Sequence, residues 1–384
     1  MIETSKKNDF RFFILGLLLL MPVVFEFANV ITSDASSNFT LVTYVIILVY
    51  AIIKNRYFQL TDLILLLAIY AMFAFNYLLF EDSRTYLKST EMIIIYVFYI
   101  PICVFIIRHI DDWTGFTRKL FPMAAIAIAL GGIIVFFCDY SILSYMEFSY
   151  ALLPFLAVHY IYWRSKEKFQ LASLVLLILG VIEIFAFGAR GPILFLIVLM
   201  ALYEILRVDL ASDKKILLFI GTGILVAVIA VFIQIIIEWL ETLPIFKNSY
   251  FLWNIQQGNL LQHSTRNIIT ANCLDRISKM GMEISGLFGD RQYCGSIYPH
   301  NIVFEILMTY GWFFGVVVLA GLVVLMIKSL SISKNRVAAS FVITTLFLRF
   351  FISGSYIIEG KFWIFLFALF SLIHVPRDID GENE

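Results

Sequence analysis

Residues 171–206 read LASLVLLILGVIEIFAFGARGPILFLIVLMALYEIL. Apart from Glu183, Arg190 and Glu204 the stretch carries no formal charge, and it divides into two apolar runs, Leu171–Gly188 and Pro192–Leu206. Each comes close to the length that crosses a hydrocarbon core of about 30 Å as a helix. Between them stands Gly188-Ala189-Arg190-Gly191. The glycines admit backbone angles closed to other residues, and Pro192 suits the first turn of a following helix. The stretch therefore predicts two membrane helices joined by a tight turn, with Arg190 at the mouth of the bundle. A snorkelling interfacial arginine is the plainer reading of that position.

The rest of the chain repeats the pattern. Hydrophobic residues make up 61% of the 384 and charged residues 15%, against about 25% charged in soluble domains. No soluble core hides so much apolar surface, so the expected fold is an all-α transmembrane bundle of about twelve helices. Its spans are Phe12–Ile31, Phe39–Ile53, Leu60–Phe80, Met92–Ile107, Leu120–Cys138, Ser149–Trp163, Leu171–Gly188, Pro192–Leu206, Ile216–Leu240, Asn301–Ile327, Val337–Ile352 and Tyr356–Val375. The organisation expected is a bundle over 1–240, a large extracytoplasmic loop over 241–299, further membrane helices over 300–376 and a tail over 377–384. The first apolar run follows Lys6, Lys7 and Arg11 but is too long for a signal peptide's apolar region. On this topology 18 of the 28 Lys and Arg residues share one side. Basic residues gather in cytoplasmic loops, which places both termini in the cytoplasm.

Polarity concentrates in the long loop, the one extramembrane stretch large enough for its own secondary structure. Ile268, Ile269, Leu274, Ile277 and Met280 recur at near-helical spacing, which predicts an amphipathic helix over Thr265–Ile284 carrying Arg266 and Arg276 near the headgroups. Cys273 and Cys294 share the loop; a disulfide in an oxidising compartment and two separate thiols are both open. Tyr293 and Tyr298 suit either an interfacial belt or stacking on sugar rings. Glu26, Glu183, Glu238 and Glu305 fall inside or near spans, where a charge is costly enough to raise the question of function. No basic stripe points to nucleic acid, and no Cys-x-x-Cys pair or metal-ligand spacing appears.

Gly188-Ala189-Arg190-Gly191, then Ser264-Thr265-Arg266, then Gly286-Leu287-Phe288-Gly289, then His300-Asn301 with Glu305-Ile306-Leu307 and Tyr310-Gly311 stand in that order around one large outer loop. This series resembles the O-antigen polymerase and ligase family of bacterial membrane glycosyltransferases, over roughly residues 171–325. The resemblance implies transfer of a glycan from undecaprenyl diphosphate to a sugar hydroxyl at the outer face, without nucleotide or cofactor. Many ligases carry a Gly-x-x-Gly pair after the His-Asn, whereas here three residues separate Gly311 from Gly315, which favours the polymerase branch.

Loss of a polyprenyl diphosphate develops negative charge that fixed cations must meet, and the planar guanidinium fork suits phosphate oxygens. The resemblance thus implies Arg190 and Arg266 for the diphosphate, with Arg276 and Arg291 behind them. His300 takes the acceptor's proton or orients it, beside Asn301 and Tyr298. Implied partners are the lipid-linked oligosaccharide, membrane lipids, a chain-length regulator and a flippase. Two rival readings stand: a transporter or flippase, for which no internal repeat is evident, and an assembly partner indifferent to these arginines.

Overall fold

The computed structural model describes residues 2–32, 37–55, 59–138, 145–165, 170–187, 189–206, 242–243, 265–295 and 298–374. The expected span Ile216–Leu240 lies outside them. Among the described residues the chain is all-helical. In order come α1 (Ile2–Thr32), α2 (Ser37–Asn55), α3 (Leu60–Leu79), α4 (Glu81–Tyr86), α5 (Thr90–His109), α6 (Phe116–Phe137), α7 (Tyr145–Ser165), α8 (Leu171–Phe187), α9 (Arg190–Leu206), α10 (Thr265–Met280), α11 (Ile302–Ser331), α12 (Arg336–Val342) and α13 (Gly360–Ile373).

Among the described residues five helices are long and apolar enough to cross a membrane: Lys6–Ile31 within α1, then α3, α5, α6 and α11. Their outward faces agree with that. Helix α3 exposes Leu60, Leu63, Ile64, Leu67, Phe75 and Leu78, and α11 exposes Phe313, Phe314, Val316, Val317, Val324 and Ile327. Continuous apolar stripes of this kind are unstable against water and comfortable against lipid tails. The chain is a membrane protein in that sense.

Two expected spans need correction. The run Asn301–Ile327 is not one straight helix: Gly311, with φ 72° and ψ 172°, breaks α11 into a buried first part, Ile302–Tyr310, and an outward-facing second part. A Cβ at Gly311 would stand 2.8 Å from the Glu283 carbonyl oxygen, so the kink is where the chain passes against residues 282–283. The last span begins at Gly360 rather than Tyr356, because residues 352–359 form a loop that turns at Gly354 (φ 89°) and is held by an Arg349–Glu359 ion pair of 2.9 Å. Helix α12 continues through a π turn at Ile343–Phe347 and a 3-10 turn at Leu348–Phe351.

The chain forms two compact units. The first comprises residues 1–15, 36–116 and 263–384; the second comprises 16–35 and 117–262. Basic residues collect at one end of the first unit. Arg11 pairs with Asp111 at 2.5 Å, Arg108 and His109 both reach buried Asp62 at 2.9 Å, and Lys334 reaches Asp112 at 3.3 Å. At the other end of α3, Asn76 accepts from Leu287 N–H (2.8 Å) and Ser83 of α4 donates to the Leu287 carbonyl (2.5 Å), holding the Gly286–Gly289 turn. Gly286 has φ 77° and leaves no room for a Cβ beside Phe80, which explains a glycine there.

In the second unit α7 packs on α8 and α9. Tyr160 and Arg164 both donate to Glu204, at 2.9 and 2.6 Å. Glu183 is fully buried against the Gly131–Gly132 notch of α6, its two carboxyl oxygens without a hydrogen-bond partner among the described residues.

Candidate functional site

The polar end of the first unit is built from three loops. Residues 286–295 run as consecutive tight turns, with Arg291 N–H to the Phe288 carbonyl at 3.0 Å and Tyr293 N–H to that of Asp290 at 3.1 Å. Gly286 N–H donates to the Thr309 carbonyl at 3.1 Å, which fixes the turns against the first half of α11. Residues 298–301 enter α11, and residues 352–359 cover it.

At the centre stands Arg291, only 4% exposed. Its guanidinium donates to Ser355 Oγ at 3.1 Å and lies 3.7 Å from an Asp290 oxygen and 3.9 Å from a Glu305 oxygen. The rings of Tyr86, Phe288 and Tyr298 surround it at 5.4–5.9 Å. Glu305 in turn accepts from the Ser355 hydroxyl and from Tyr356 N–H at 3.3 Å. A buried arginine needs such company, because an unpaired charge at this depth is far too costly. One donor remains open: Nη1 of Arg291 has no hydrogen-bond partner among the described residues. Neither has the Asp290 carboxyl with any other described residue. Burial raises the Asp290 pKa to about 6, against the pull of Arg291.

His300 sits at the edge of this cluster. Its backbone is in the left-handed region, φ 56°, and Phe288 shares that feature at φ 68°. Non-glycine residues held there are uncommon and cluster at functional sites. The imidazole packs edge-on against Tyr298 at 4.4 Å, and its Nδ1 is buried without a partner among the described residues. Burial, then the positive fields of Arg266 and Arg291, lower its pKa to about 4. At neutral pH the ring is therefore uncharged, with a lone pair available to accept a proton or a hydrogen bond.

The other residues singled out in the sequence fall as follows. Arg266, half-buried in the first turn of α10, is close enough to act electrostatically on His300. Arg276 is engaged by Glu283 at 2.9 Å and lies over the Tyr293 ring at 4.7 Å. Asn301 caps α11, its side chain accepting from Val303 N–H at 2.9 Å. Arg190 is the exposed first residue of α9 in the second unit, followed by Gly191, where a Cβ would meet the Tyr150 hydroxyl at 2.0 Å. Thus the first unit brings together Tyr298, His300, Arg291 and the field of Arg266.

Sequence reasoning missed Ser355, Tyr86 and Asp290 as parts of the cluster. Ser353-Gly354-Ser355 interrupting an apolar run was the available signal for the first; Tyr86 gave none. Compared with protein-family models, with curated proteins and with solved structures, the chain matches none.

Proposed function

We propose that the protein polymerises undecaprenyl-diphosphate-linked oligosaccharide repeat units into an O-antigen, capsular or exopolysaccharide at the outer face of the bacterial cytoplasmic membrane. In this reading about twelve helices span the membrane, both termini are cytoplasmic, and residues 241–299 form the extracytoplasmic loop. The observation that carries it is His300, held at a left-handed φ beside Tyr298 and the Arg291 cluster with its Nδ1 buried and without a partner among the described residues. A lipid diphosphate needs cations as its leaving group charges, and a sugar hydroxyl needs an uncharged acceptor for its proton.

The two requirements cooperate. A bound diphosphate offsets the positive field on His300, which raises the ring's affinity for a proton at the step where the acceptor hydroxyl gives one up. An open apolar groove of about 480 Å³, lined by Tyr70, Phe73, Tyr77, Lys88 and Tyr96, adjoins α4 in sequence; its character suits a prenyl chain with phosphate near the lysine.

The experiment is glycan chain length on gels from cells lacking the protein, complemented by the unaltered chain or by Arg190→Ala, Arg266→Ala or His300→Ala at matched membrane abundance. The expected result is a ladder with the unaltered chain and single repeat units with each variant. Full ladders from all three would overturn the site. A ligase instead would leave polymer on its carrier, uncapped onto the terminal acceptor. Transport of a lipid-linked substrate is the second reading, favoured by Glu183 inside a span, which has no hydrogen-bond partner among the described residues; it predicts that Glu183→Gln, and none of the three site variants, stops surface glycan.

A further inference from the structure

We infer that Cys273 and Cys294 form a disulfide in the working protein, tying the helix that carries Arg266 and Arg276 to the turns that carry Asp290 and Arg291. The two sulfurs lie 3.2 Å apart in van der Waals contact, and both residues are buried, at 0% and 2% exposure. Ile269, Cys273, Ile277 and Met280 form one stripe of α10 that packs, with Cys294, on Leu307 and Met308 of α11. The pair is therefore held in register by apolar packing on both sides. Closing the contact to a bond of about 2.05 Å asks for a shift of about 1 Å. Among the described residues no third His, Cys, Asp or Glu joins the pair.

The chemistry is thiol–disulfide exchange with an oxidised dithiol carrier. The Cys273 thiolate attacks one carrier sulfur, forming a mixed disulfide and releasing the other carrier sulfur as a thiolate. The Cys294 thiolate then attacks Cys273, forming the internal bond and releasing the reduced dithiol carrier. Two electrons pass to the carrier, and the protons of the two cysteines end on its two sulfurs. Because both sulfurs are buried in the finished fold, the exchange belongs to folding, before α10 docks on α11. The bond fixes where Arg266 stands relative to the residue 298–301 entry, and so the field that keeps His300 neutral.

The inference rests on the proposal that residues 265–300 face the oxidising exterior, since a cytoplasmic pair is kept reduced. To test it, membranes from cells making the full chain are acid-quenched, denatured and blocked with N-ethylmaleimide, then reduced and labelled with heavy maleimide. Cys273 and Cys294 are expected to take the heavy label, and Cys103 and Cys138 the light one. Light label on Cys273 and Cys294 overturns the disulfide. Synthesis of the full chain into liposomes with oxidised glutathione present then identifies the cause. A cross-link formed there faults the exterior placement, and its failure faults the geometry while leaving the polymerase reading intact. Reduction is also expected to lower the melting temperature of the unaltered chain by roughly 5 °C and to leave Cys273→Ser unchanged; an unaltered chain indifferent to reduction contradicts the tie.

Discussion

In the proposed reading His300 does the chemistry of the cluster and Arg291 supports it. His300 has an open, buried Nδ1 and a pKa lowered to about 4 from 6.5. Its folded-state pKa lies below the unfolded one, so in the folded protein the neutral form prevails down to about pH 4, and folding stability falls as pH drops from about 6.5 to about 4. Polymerisation in membrane vesicles should therefore hold level from pH 8 to near pH 5 and fall below that. Arg266→Gln removes a cation that lowers the ring's pKa, so its acid limb should move upward toward 6.5. A pH profile unchanged by Arg266→Gln would separate the two residues. Arg291 answers to a different test. Glu305→Leu removes one of two carboxyls beside a buried guanidinium while Asp290 and Ser355 remain, and should cost about 1–3 kcal/mol in thermal or denaturant unfolding, whereas Glu305→Gln keeps an acceptor for Ser355 and should cost clearly less. At this scale the sequence made His300, Asn301 and the Gly286–Gly289 turn legible through local motifs. Ser355 and Tyr86 stayed hidden because their roles come from contacts across 64 residues in one case and across the whole middle of the chain in the other.

Helix positions were readable from apolar length alone: α5, α6, α8 and α9 lie within a few residues of the expected spans. The break in α11 was not readable, because Gly311 sits inside an unbroken apolar run and its left-handed φ is imposed by the backbone of residues 282–283 pressed against it. This reverses the usual sign of a glycine substitution. Gly321→Ala, on the open outward half of α11 with nothing within 4 Å of a Cβ, should be neutral or stabilise by about 0.5–1 kcal/mol. Gly311→Ala should destabilise by more than that and lower the yield of folded protein, since the added methyl meets the Glu283 carbonyl at 2.8 Å. Melting curves of the two variants in the same detergent check the contrast; equal behaviour would mean that α11 runs straight. The late start of α13 has a similar cause. Tyr356 and Ile357 are apolar and buried, as a span requires, but they line the 352–359 loop that reaches Glu305.

Across the first unit the charges sort by end. Arg11, Arg108 and Lys334, far apart in the chain, meet Asp111, Asp62 and Asp112 at one end, while Asp290, Arg291, Glu305 and Ser355 gather at the other. The sequence had already put Arg11, Arg108 and Lys334 on one side by counting apolar spans, and the folded unit groups the same three. What counting spans could not foresee is that the polar loops form a single supported cluster, because that depends on α3 and α4 reaching up to Leu287. Membrane-impermeant maleimide on intact cells gives the orientation: in a background free of native cysteines, Gly295→Cys should be labelled and Ser333→Cys should not.

Glycosyl transfer from a lipid diphosphate at the His300 cluster, as proposed above, is open to test by reconstitution. The purified full chain in liposomes is given undecaprenyl-diphosphate-linked repeat units, with no nucleotide, and both released undecaprenyl diphosphate and glycan length are measured. The account predicts a ladder with one carrier released per added unit, and loss of both by at least 100-fold in His300→Ala at equal folded protein, in keeping with removal of a general base. Carrier release and polymer growth that persist unchanged in His300→Ala, or the absence of either from a folded unaltered chain, would contradict it.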